Sequence, residues 1–225
     1  MSAAVPTLSL LEARILGVLV EKQHTVPDIY PLSLNALTAG CNQKTSRDPV
    51  LHANESDVQA GIDRLRSASL VVESSGGRVM RYAHNVERVL GLPSQAVALI
   101  AAMMLRGPQT VGELRISCDR LHRFADGSAV EGFLHELAER GAGALVVMLP
   151  RLPGARESRW MHLLSGPPAA DARADADATP GPPPDAALQA EVAALKESVA
   201  ELRDEIALLK TAIAGLRPAP EEDGA

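Results

Sequence analysis

The sequence predicts a mainly α-helical α+β protein with two tandem winged helix-turn-helix domains, small β-hairpin wings and a C-terminal parallel coiled coil. Two patterns predict this fold: a helix, helix, helix, hairpin order occurs twice along the chain, and a heptad repeat follows it. The predicted boundaries are residues 1–90 for winged-helix domain 1, 91–166 for winged-helix domain 2, 167–185 for a disordered Pro/Ala/Asp linker, 186–217 for the coiled coil and 218–225 for a disordered acidic tail.

The two predicted domains are versions of one repeating unit, because three stretches recur in the same order. In each unit, apolar residues at helical spacing predict a first helix and a later helix. Ser56 or Ser128 is the expected N-cap of the later helix. An Arg-aromatic-x-His segment then closes a strand pair in each unit. The matched segments are residues 9–15 with 94–100, 56–65 with 128–137, and 81–84 with 159–162.

The remaining elements of each unit complete the winged-helix pattern. A second helix is predicted over residues 31–41 in one unit and 110–121 in the other. The third helix leads into a hairpin, with strands at residues 70–73 and 78–82 around a Ser-Gly-Gly turn, and at 144–149 and 159–164 around a longer basic loop. A three-helix bundle with an incidental hairpin is the alternative, but it does not explain why the hairpin recurs.

The C-terminal heptad predicts a parallel, two-stranded coiled coil and therefore a homodimer. Its a positions are β-branched and its d positions are Leu, the combination that favours two parallel strands. An antiparallel or solitary amphipathic helix is the alternative, but an ordinary surface helix would drift away from a strict heptad. The predicted dimerisation residues are Leu188, Val192, Leu195, Val199, Leu202, Ile206, Leu209, Ile213 and Leu216.

Several long motifs make the chain similar to a known family. They are YPLSLN at residues 30–35, CNQKTSRDPV at 41–50, LRGPQT at 105–110, GELR at 112–115 and RWMHL at 159–163. Through these motifs, over residues 8–166, the chain resembles the YceH-type family of uncharacterised bacterial proteins. The resemblance implies a tandem winged-helix fold and, for a tail like this one, a coiled coil. It implies no established activity.

Charge is divided unevenly between the predicted domains and the tail. Residues 1–165 hold 17 Lys and Arg against 16 Asp and Glu, which gives a net charge of +1. Since the whole chain has a net charge of −6, the remaining residues carry a net charge of −7. A near-neutral folded part weakens the prediction of strong non-specific nucleic-acid binding, which is typical of clearly basic domains. The few scattered aromatic residues also do not predict the stacking platforms that bind single strands.

The best candidate for direct recognition of duplex DNA is the polar loop between the second and third helices of domain 1. Asn and Gln suit adenine edges, Arg suits guanine, and Lys and Thr suit phosphates. The basic hairpins would add phosphate contacts, whereas the third helix of the first unit with its exit, residues 55–73, and that of the second, residues 128–140, each carry a net charge of −2. The candidate DNA-binding residues are Asn42, Gln43, Lys44, Thr45, Arg47, Arg78, Arg81, Arg151, Arg156 and Arg159.

Each basic or polar segment has a structural alternative. Residues 42–47 are equally consistent with a hydrogen-bonded loop that Asp48-Pro49 holds in a turn. A second basic stretch, with Arg115, Arg120 and Arg123, suits either a DNA face or a solvated helix side.

Chemistry and membrane insertion are not predicted. The sequence contains no Ser-His-Asp arrangement, glycine-rich phosphate loop or paired-carboxylate motif, so we expect no enzyme, cofactor or metal. Cys118 and His122 lie one predicted helical turn apart, but two ligands without a third do not make a metal site. The sequence lacks the pattern of a signal peptide and any apolar stretch of the ~18 residues that span a bilayer, so we expect a cytoplasmic protein.

Two functions stay open at the level of sequence. The first is a dimeric DNA-binding regulator that contacts duplex DNA through residues 42–47 and the basic wings. The second is a protein-interaction adaptor whose winged helices do not bind DNA. Basic wings and the coiled coil favour DNA, whereas near-neutral domains and acidic third helices favour the adaptor. The expected partners are a second copy of the chain and either double-stranded DNA or another protein.

The coiled coil is tested by polar substitutions at its predicted seam. Ile206→Gln together with Leu209→Gln should yield monomers in sedimentation experiments, because both substitutions remove apolar residues from the interface. Asp204→Gln, on the outer face of the same heptad, is the control and should leave the dimer intact. A dimer that persists in the double variant would mean that the folded domains associate by themselves.

Overall fold

The structure is a computed structural model that describes residues 7–75 and 79–168. About half of these residues are helical, and the strands form small antiparallel sheets. The predicted mixed α+β class is thereby confirmed. The predicted coiled coil with its dimerisation residues, the acidic tail, most of the linker and the candidate residue Arg78 lie outside the described residues.

The first repeat consists of three main helices and a three-stranded antiparallel sheet. Its elements are α1 (Leu10–Thr25), a 3-10 turn (Pro27–Ile29), β1 (Leu32–Ser33), α2 (Leu34–Cys41), α3 (Glu55–Ser67), β2 (Val71–Ser74) and β3 (Arg81–His84). The strand order is β1-β3-β2, and Leu32 of β1 lies opposite Tyr82 of β3. Leu32, Val71 and Tyr82 are buried, so one face of the sheet packs into the core.

The second repeat has the same order of elements. They are α5 (Ser94–Arg106), α6 (Val111–Cys118), α7 (Gly127–Ala138), β4 (Val146–Met148) and β5 (Trp160–His162), and the short α4 (Val86–Leu90) precedes them. β4 and β5 form an antiparallel pair. Gln109 and Trp160 also exchange both backbone hydrogen bonds, at 3.1 and 2.7 Å. This bridge precedes α6, as β1 precedes α2. The two repeats are therefore alike in their strand pairing as well as in their helices.

The third helix of each repeat is capped two residues earlier than the sequence analysis predicts. Asn54 caps α3, since its Oδ1 accepts a hydrogen bond from the Asp57 amide at 2.9 Å. Asp126 caps α7, since its Oδ1 accepts from the amide three residues later, also at 2.9 Å. The prediction of Ser56 and Ser128 as N-caps is therefore wrong, because Asn and Asp already satisfy free amides of the first turn.

The first helices of the two repeats, α1 and α5, pack against each other in the middle of the protein. Every residue from 12 to 20 in α1 and from 96 to 105 in α5 is buried. A helix that is buried on all sides is typical of the centre of a hydrophobic core. The two repeats therefore share one core. Across the described ranges, no helix combines the length and the apolarity needed to cross a membrane.

Glycines allow other helices to approach α1 closely. A Cβ added to Gly40 of α2 would lie 2.6 Å from Cγ1 of Val18, and one added to Gly17 would lie 3.0 Å from Cγ of Leu105 on α5. Val18 is fully buried, and a valine in a helix has one strongly preferred rotamer, so its methyl group has nowhere to turn. α2 is thus held at a distance from α1 that only glycine permits.

Two Gly→Ala substitutions should have opposite effects on stability. Gly40→Ala should destabilise the protein by about 1–3 kcal/mol, because the added methyl group overpacks the contact with Val18. Gly132→Ala is the matched control on α7, where an added Cβ meets nothing within 4 Å. It should stabilise by about 0.5–1 kcal/mol through helix propensity alone. Urea denaturation measures both, and equal effects would contradict the proposed packing.

Candidate nucleic-acid interface

The polar loop between α2 and α3 folds back on itself at its first residue. Asn42 Nδ2 donates a hydrogen bond to the Ala53 carbonyl at 2.7 Å, and its Oδ1 accepts one from the Ala53 amide at 2.8 Å. Both functions of the side-chain amide are therefore used in closing the loop. Asn42 would have to give up this pairing to make the bidentate contact with adenine for which it is a candidate.

Arg47 lies inside the fold and is only 6% exposed. Its Nη1 and Nη2 donate to the two carboxylate oxygens of Glu21 on α1, at 3.0 and 2.7 Å. Its Nε and Nη1 also donate to the carbonyls of Gly40 and Ser46, at 3.2 and 2.9 Å. The two-pronged geometry of a guanidinium matches a carboxylate. Arg47 thus joins α1, α2 and the loop, and its donors are occupied.

The ion pair with Arg47 keeps the carboxyl group of Glu21 in its charged form. Burial raises the pKa of Glu21, but the hydrogen bonds and the charge of Arg47 outweigh burial, and the pKa ends below its ordinary value. Oε2 of Glu21 also lies 3.2 Å from Nζ of Lys22. The carboxylate therefore stays ionised at neutral pH and compensates the buried Arg47.

The other loop candidates differ in exposure. Gln43 Nε2 donates to the carbonyl and hydroxyl of Thr45, at 3.1 and 3.3 Å, while its Oε1 accepts from Lys22 and Arg47. Lys44 and Thr45 are exposed. Of the loop candidates, Lys44 is thus the exposed cation, and one cation is a weak footprint for a nucleic acid.

The described arginines of the hairpins differ in their hydrogen bonds and in their exposure. Arg81 Nη1 donates to the carbonyls of Ile29 and Pro31, at 3.1 and 2.8 Å, and so fixes the chain before β1 to β3. In the second hairpin Arg151 and Arg156 are exposed and Arg159 is half-buried. Arg151 donates to the Arg156 carbonyl at 3.4 Å, a contact within the loop.

The exposed faces of the third helices are acidic. On α3, Arg66 lies 3.5 Å from Asp63 and 2.9 Å from Glu73, and Arg64 pairs with Glu12 of α1. α7 presents exposed carboxylates and carries no Lys or Arg. The third helices of the two repeats therefore offer exposed carboxylates, which repel phosphate.

Arg14 of α1 is a buried residue that supports the loop and that the sequence analysis missed. It is fully buried in α1, donates to the carbonyls of Cys41 and Pro49 at 3.3 and 2.7 Å, and leaves its Nε without a partner among the described residues. Burial, and then the charge of Arg47, lower its pKa. An arginine within the apolar run from Leu10 to Val20 was the available signal, because a buried charge requires partners.

The basic stretch around α6 is exposed to solvent. Arg115, Arg120 and Arg123 are all exposed, and Arg123 lies 3.9 Å from Asp119. Ile116, within the same stretch, is 75% exposed. A patch that mixes cations with an exposed apolar side chain fits a protein contact as well as a phosphate contact.

The pair Cys118 and His122 does not extend to a metal cluster within residues 7–75 and 79–168, where no three His, Cys, Asp or Glu side chains lie close enough together. Cys118 is buried and lies 3.4 Å from the Ala98 carbonyl. Burial raises the pKa of its thiol to about 12.

Comparison with known proteins identifies one family. The sequence profile of a family described as "Protein of unknown function, DUF480" matches residues 8–155. A UPF0502 protein of Dechloromonas aromatica is 63% identical over 174 residues, which cover 77% of this chain and 82% of the relative. UPF0502 proteins of Methylibium petroleiphilum and Burkholderia orbicola are 61% and 60% identical, over 79% and 84% of this chain and 76% and 81% of theirs. The family resemblance predicted from the motifs is thereby confirmed.

The buried pair of Glu21 and Arg47 predicts a pH-dependent effect of Glu21→Gln. At pH 7 the variant should lose about 3–5 kcal/mol of stability, because Arg47 keeps its charge in the core without a compensating carboxylate. Since the pKa of Glu21 is lowered in the folded protein, the pair stabilises fully above the ordinary carboxyl pKa, and that stabilisation is lost as pH falls through the lowered value.

Urea denaturation at several pH values measures this difference between wild type and variant. The gap should be widest near pH 7 and should shrink below about pH 4. Glu87→Gln, at an exposed position on α4, is the control and should change stability little at any pH. A gap for Glu21→Gln that does not depend on pH would contradict the ion pair.

Proposed function

We propose that this chain, which belongs to the bacterial family described as "Protein of unknown function, DUF480", is a protein-interaction adaptor built from two winged-helix modules. The adaptor was the second of the two functions that the sequence left open. The observation that supports the proposal most is that both third helices are acidic. In addition, most polar side chains of the loop at residues 42–47 form hydrogen bonds within the protein.

Support for the winged-helix assignment comes from the order and pairing of the elements. Three helices and an antiparallel hairpin occur in each repeat, and the segment before the second helix pairs with the last strand. A winged helix-turn-helix has this arrangement, with its third helix exposed for recognition and its hairpin beside it. α3 and α7 are the third helices in this assignment.

The charge of α3 supports a partner other than DNA. Its arginines are engaged with Glu12, Asp63 and Glu73, while Glu55 and Asp57 at its N-terminus are exposed. Carboxylates in the first turn suit the helix dipole and the cap, but they oppose the approach of a phosphate backbone. A basic protein segment meets no such repulsion.

The hairpin next to α3 supports an apolar component of the same contact. Val72, Val79 and Met80 are 46%, 56% and 42% exposed, and the ion pair between Glu73 and Arg66 ties this hairpin to α3. Neighbouring exposed apolar side chains bordered by charge are typical of protein-binding sites. We therefore assign α3 and the β2-β3 hairpin as the docking surface, for a partner segment that is basic and partly apolar.

Dimerisation would strengthen such a contact. The predicted coiled coil would hold two copies of the module on predicted flexible linkers, and a second module would then bind at an effective concentration in about the millimolar range. An adaptor with two weak sites gains affinity in this way without any new contact.

A DNA-binding regulator is the second candidate, and the exposed cations favour it. Lys44, Arg151 and Arg156 are exposed, and Arg115, Arg120 and Arg123 add a further basic stretch. Phosphate contacts by these residues would be independent of sequence, because none belongs to a third helix.

A titration of duplex DNA with the full chain separates the two candidates. We expect no saturable binding tighter than about millimolar near 50 mM salt, because the third helices repel phosphates. The double variant Glu131→Lys and Glu136→Lys, on the exposed face of α7, should gain salt-sensitive affinity by reversing that charge. Submicromolar binding by the wild type that falls steeply with salt would overturn the adaptor in favour of the regulator.

Photo-crosslinking in the native cell tests the docking surface itself. A photoreactive residue at exposed Ala60 on α3, or at exposed Val79 before β3, should trap the same protein partner. The same residue at exposed Ala155, in the second hairpin, is the matched control and should not trap it. Identical adducts from all three positions, or none from Ala60 and Val79, would contradict the assignment.

A further inference from the structure

The exposed residues of α6 and of the turn after it lie on one helical face. The amides of Leu121 and His122 both donate to the Cys118 carbonyl at 2.8 Å, so the helical path continues past the end of α6. Exposed residues recur along it at steps of one and three, which is the spacing of a single helix face. They are Gly112, Arg115, Ile116, Asp119, Arg120 and Arg123, and we call them the α6 stripe.

The α6 stripe combines positive charge with an exposed apolar side chain. Its three arginines and Asp119 give it a net charge of +2. Glu113 of the same helix is also exposed, but its carboxylate accepts hydrogen bonds from the amide and hydroxyl of Thr110. Ile116 is 75% exposed, more than any other large apolar side chain in the described ranges. A stripe of this composition fits a protein surface that is acidic and leaves room for an isoleucine.

The exposed face of α7 has the complementary composition. It repeats the spacing of the α6 stripe and contains Ser128, Glu131, Gly132, His135, Glu136 and Glu139, which we call the α7 stripe. With its histidine neutral, this stripe has a net charge of −3. Arg140, which follows it, is half-buried and donates to the Leu90 carbonyl at 2.7 Å. The carboxylates of the α7 stripe therefore face solvent without a cation among them.

The two stripes belong to neighbouring helices, but their charges do not pair within one chain. A Cβ added to Gly127 would lie 3.5 Å from Cγ1 of Val111, so the first turns of α7 and α6 meet. Among the described residues, no carboxylate of the α7 stripe forms an ion pair, and neither do Arg115 and Arg120. These charges are therefore available to pair across an interface.

Gly132 leaves an open notch in the middle of the α7 stripe. Glycine inside a helix is less favourable than alanine, because it loses more backbone freedom on folding. Gly40 has a packing reason, but a Cβ added to Gly132 meets nothing within 4 Å. Nothing in the described part of the chain thus requires a glycine at this position. A glycine lets another surface approach the helix backbone closely, and the exposed Ile116 is a side chain that would fill the notch.

Two copies of the chain satisfy both stripes at once when a two-fold axis relates them. Because the stripes lie on adjacent helices, α6 of one copy then lies on α7 of the other, and the same pairing occurs twice. α3 is also acidic, but Asp63 and Glu73 beside it already pair with Arg66. A contact between α6 and α3 would also join two different surfaces, and such contacts continue into open chains unless their rotation closes.

We propose that the α6 and α7 stripes form a self-association surface, which binds the same surface of a second copy of this chain. Ile116 packs over Gly132 of the other copy, and the arginines of the α6 stripe pair with the carboxylates of the opposite α7 stripe. The predicted coiled coil would supply the second copy at an effective concentration in about the millimolar range, so a weak contact suffices. The α3 and hairpin surface is not used, so this proposal stands whether or not the adaptor function does.

Spin-label NMR of the full chain tests where the two copies meet. A nitroxide is attached to Ala125→Cys, in the exposed loop between the stripes, and these chains are mixed with isotope-labelled wild type. Both native cysteines are buried and should not react. The nitroxide should broaden the methyl signal of Ile116 but not that of Ile29, which is exposed elsewhere. The same label at Ala60→Cys on α3 is the control and should broaden neither signal.

Charge reversal separates pairing between copies from an effect within one copy. Arg115→Glu with Arg120→Glu, or Glu131→Lys with Glu136→Lys, should each reduce the broadening roughly tenfold, because like charges then face each other. A chain with all four substitutions exchanges the two signs and should recover the broadening. An unchanged methyl signal of the buried Ile100 verifies that each variant folds.

Filling the notch gives a variant that keeps every charge. Gly132→Gln should abolish the broadening although glutamine favours the helix more than glycine does, whereas Ala60→Gln on α3 should leave it intact. Four results would each overturn the proposal: no broadening of Ile116 between copies, equal broadening of Ile29, broadening from Ala60 instead of Ala125, or no recovery in the fourfold variant.

Discussion

The packing of α1 against α5 is the constraint on which the rest of the structure depends. Both helices are buried on every side, so neither repeat can complete its core without the other. Backbone hydrogen bonds reinforce this arrangement, from the Leu8 amide to the Leu164 carbonyl at 2.7 Å and from the Asp48 amide to the Leu105 carbonyl at 2.8 Å. The contacts join the beginning of the described chain to its end, and the loop after α2 to α5.

The same packing explains why a loop with the composition of a DNA reader has a structural role. The loop lies against the side of α1 that carries Arg14 and Glu21, and its own Arg47 completes the buried pair. Guanidinium groups in the core require several hydrogen bonds. Backbone carbonyls at the loop and the carboxylate of Glu21 accept these hydrogen bonds. What the protein presents to solvent beside this loop is then the acidic α3 with its hairpin, which is why we favour a protein partner.

The elements with local signals were predictable, and those that depend on tertiary contacts were not. Arg81–His84 and Arg159–His162 could be recognised as equivalent because their side-chain pattern recurs within the sequence. The role of Arg47 could not, because Glu21 is 26 residues away and meets it only when the loop folds back.

Native-state hydrogen exchange tests the central claim, that the two repeats form one cooperative core around α1 and α5. Amide exchange would be followed residue by residue in increasing denaturant, and the opening free energies of the two helices compared. We expect the amides of residues 12–20 and 96–105 to share the highest protection and to open with the same free energy as global unfolding. A clearly lower opening free energy for α5, with α1 still protected, would mean that the repeats unfold as independent domains and would contradict the claim.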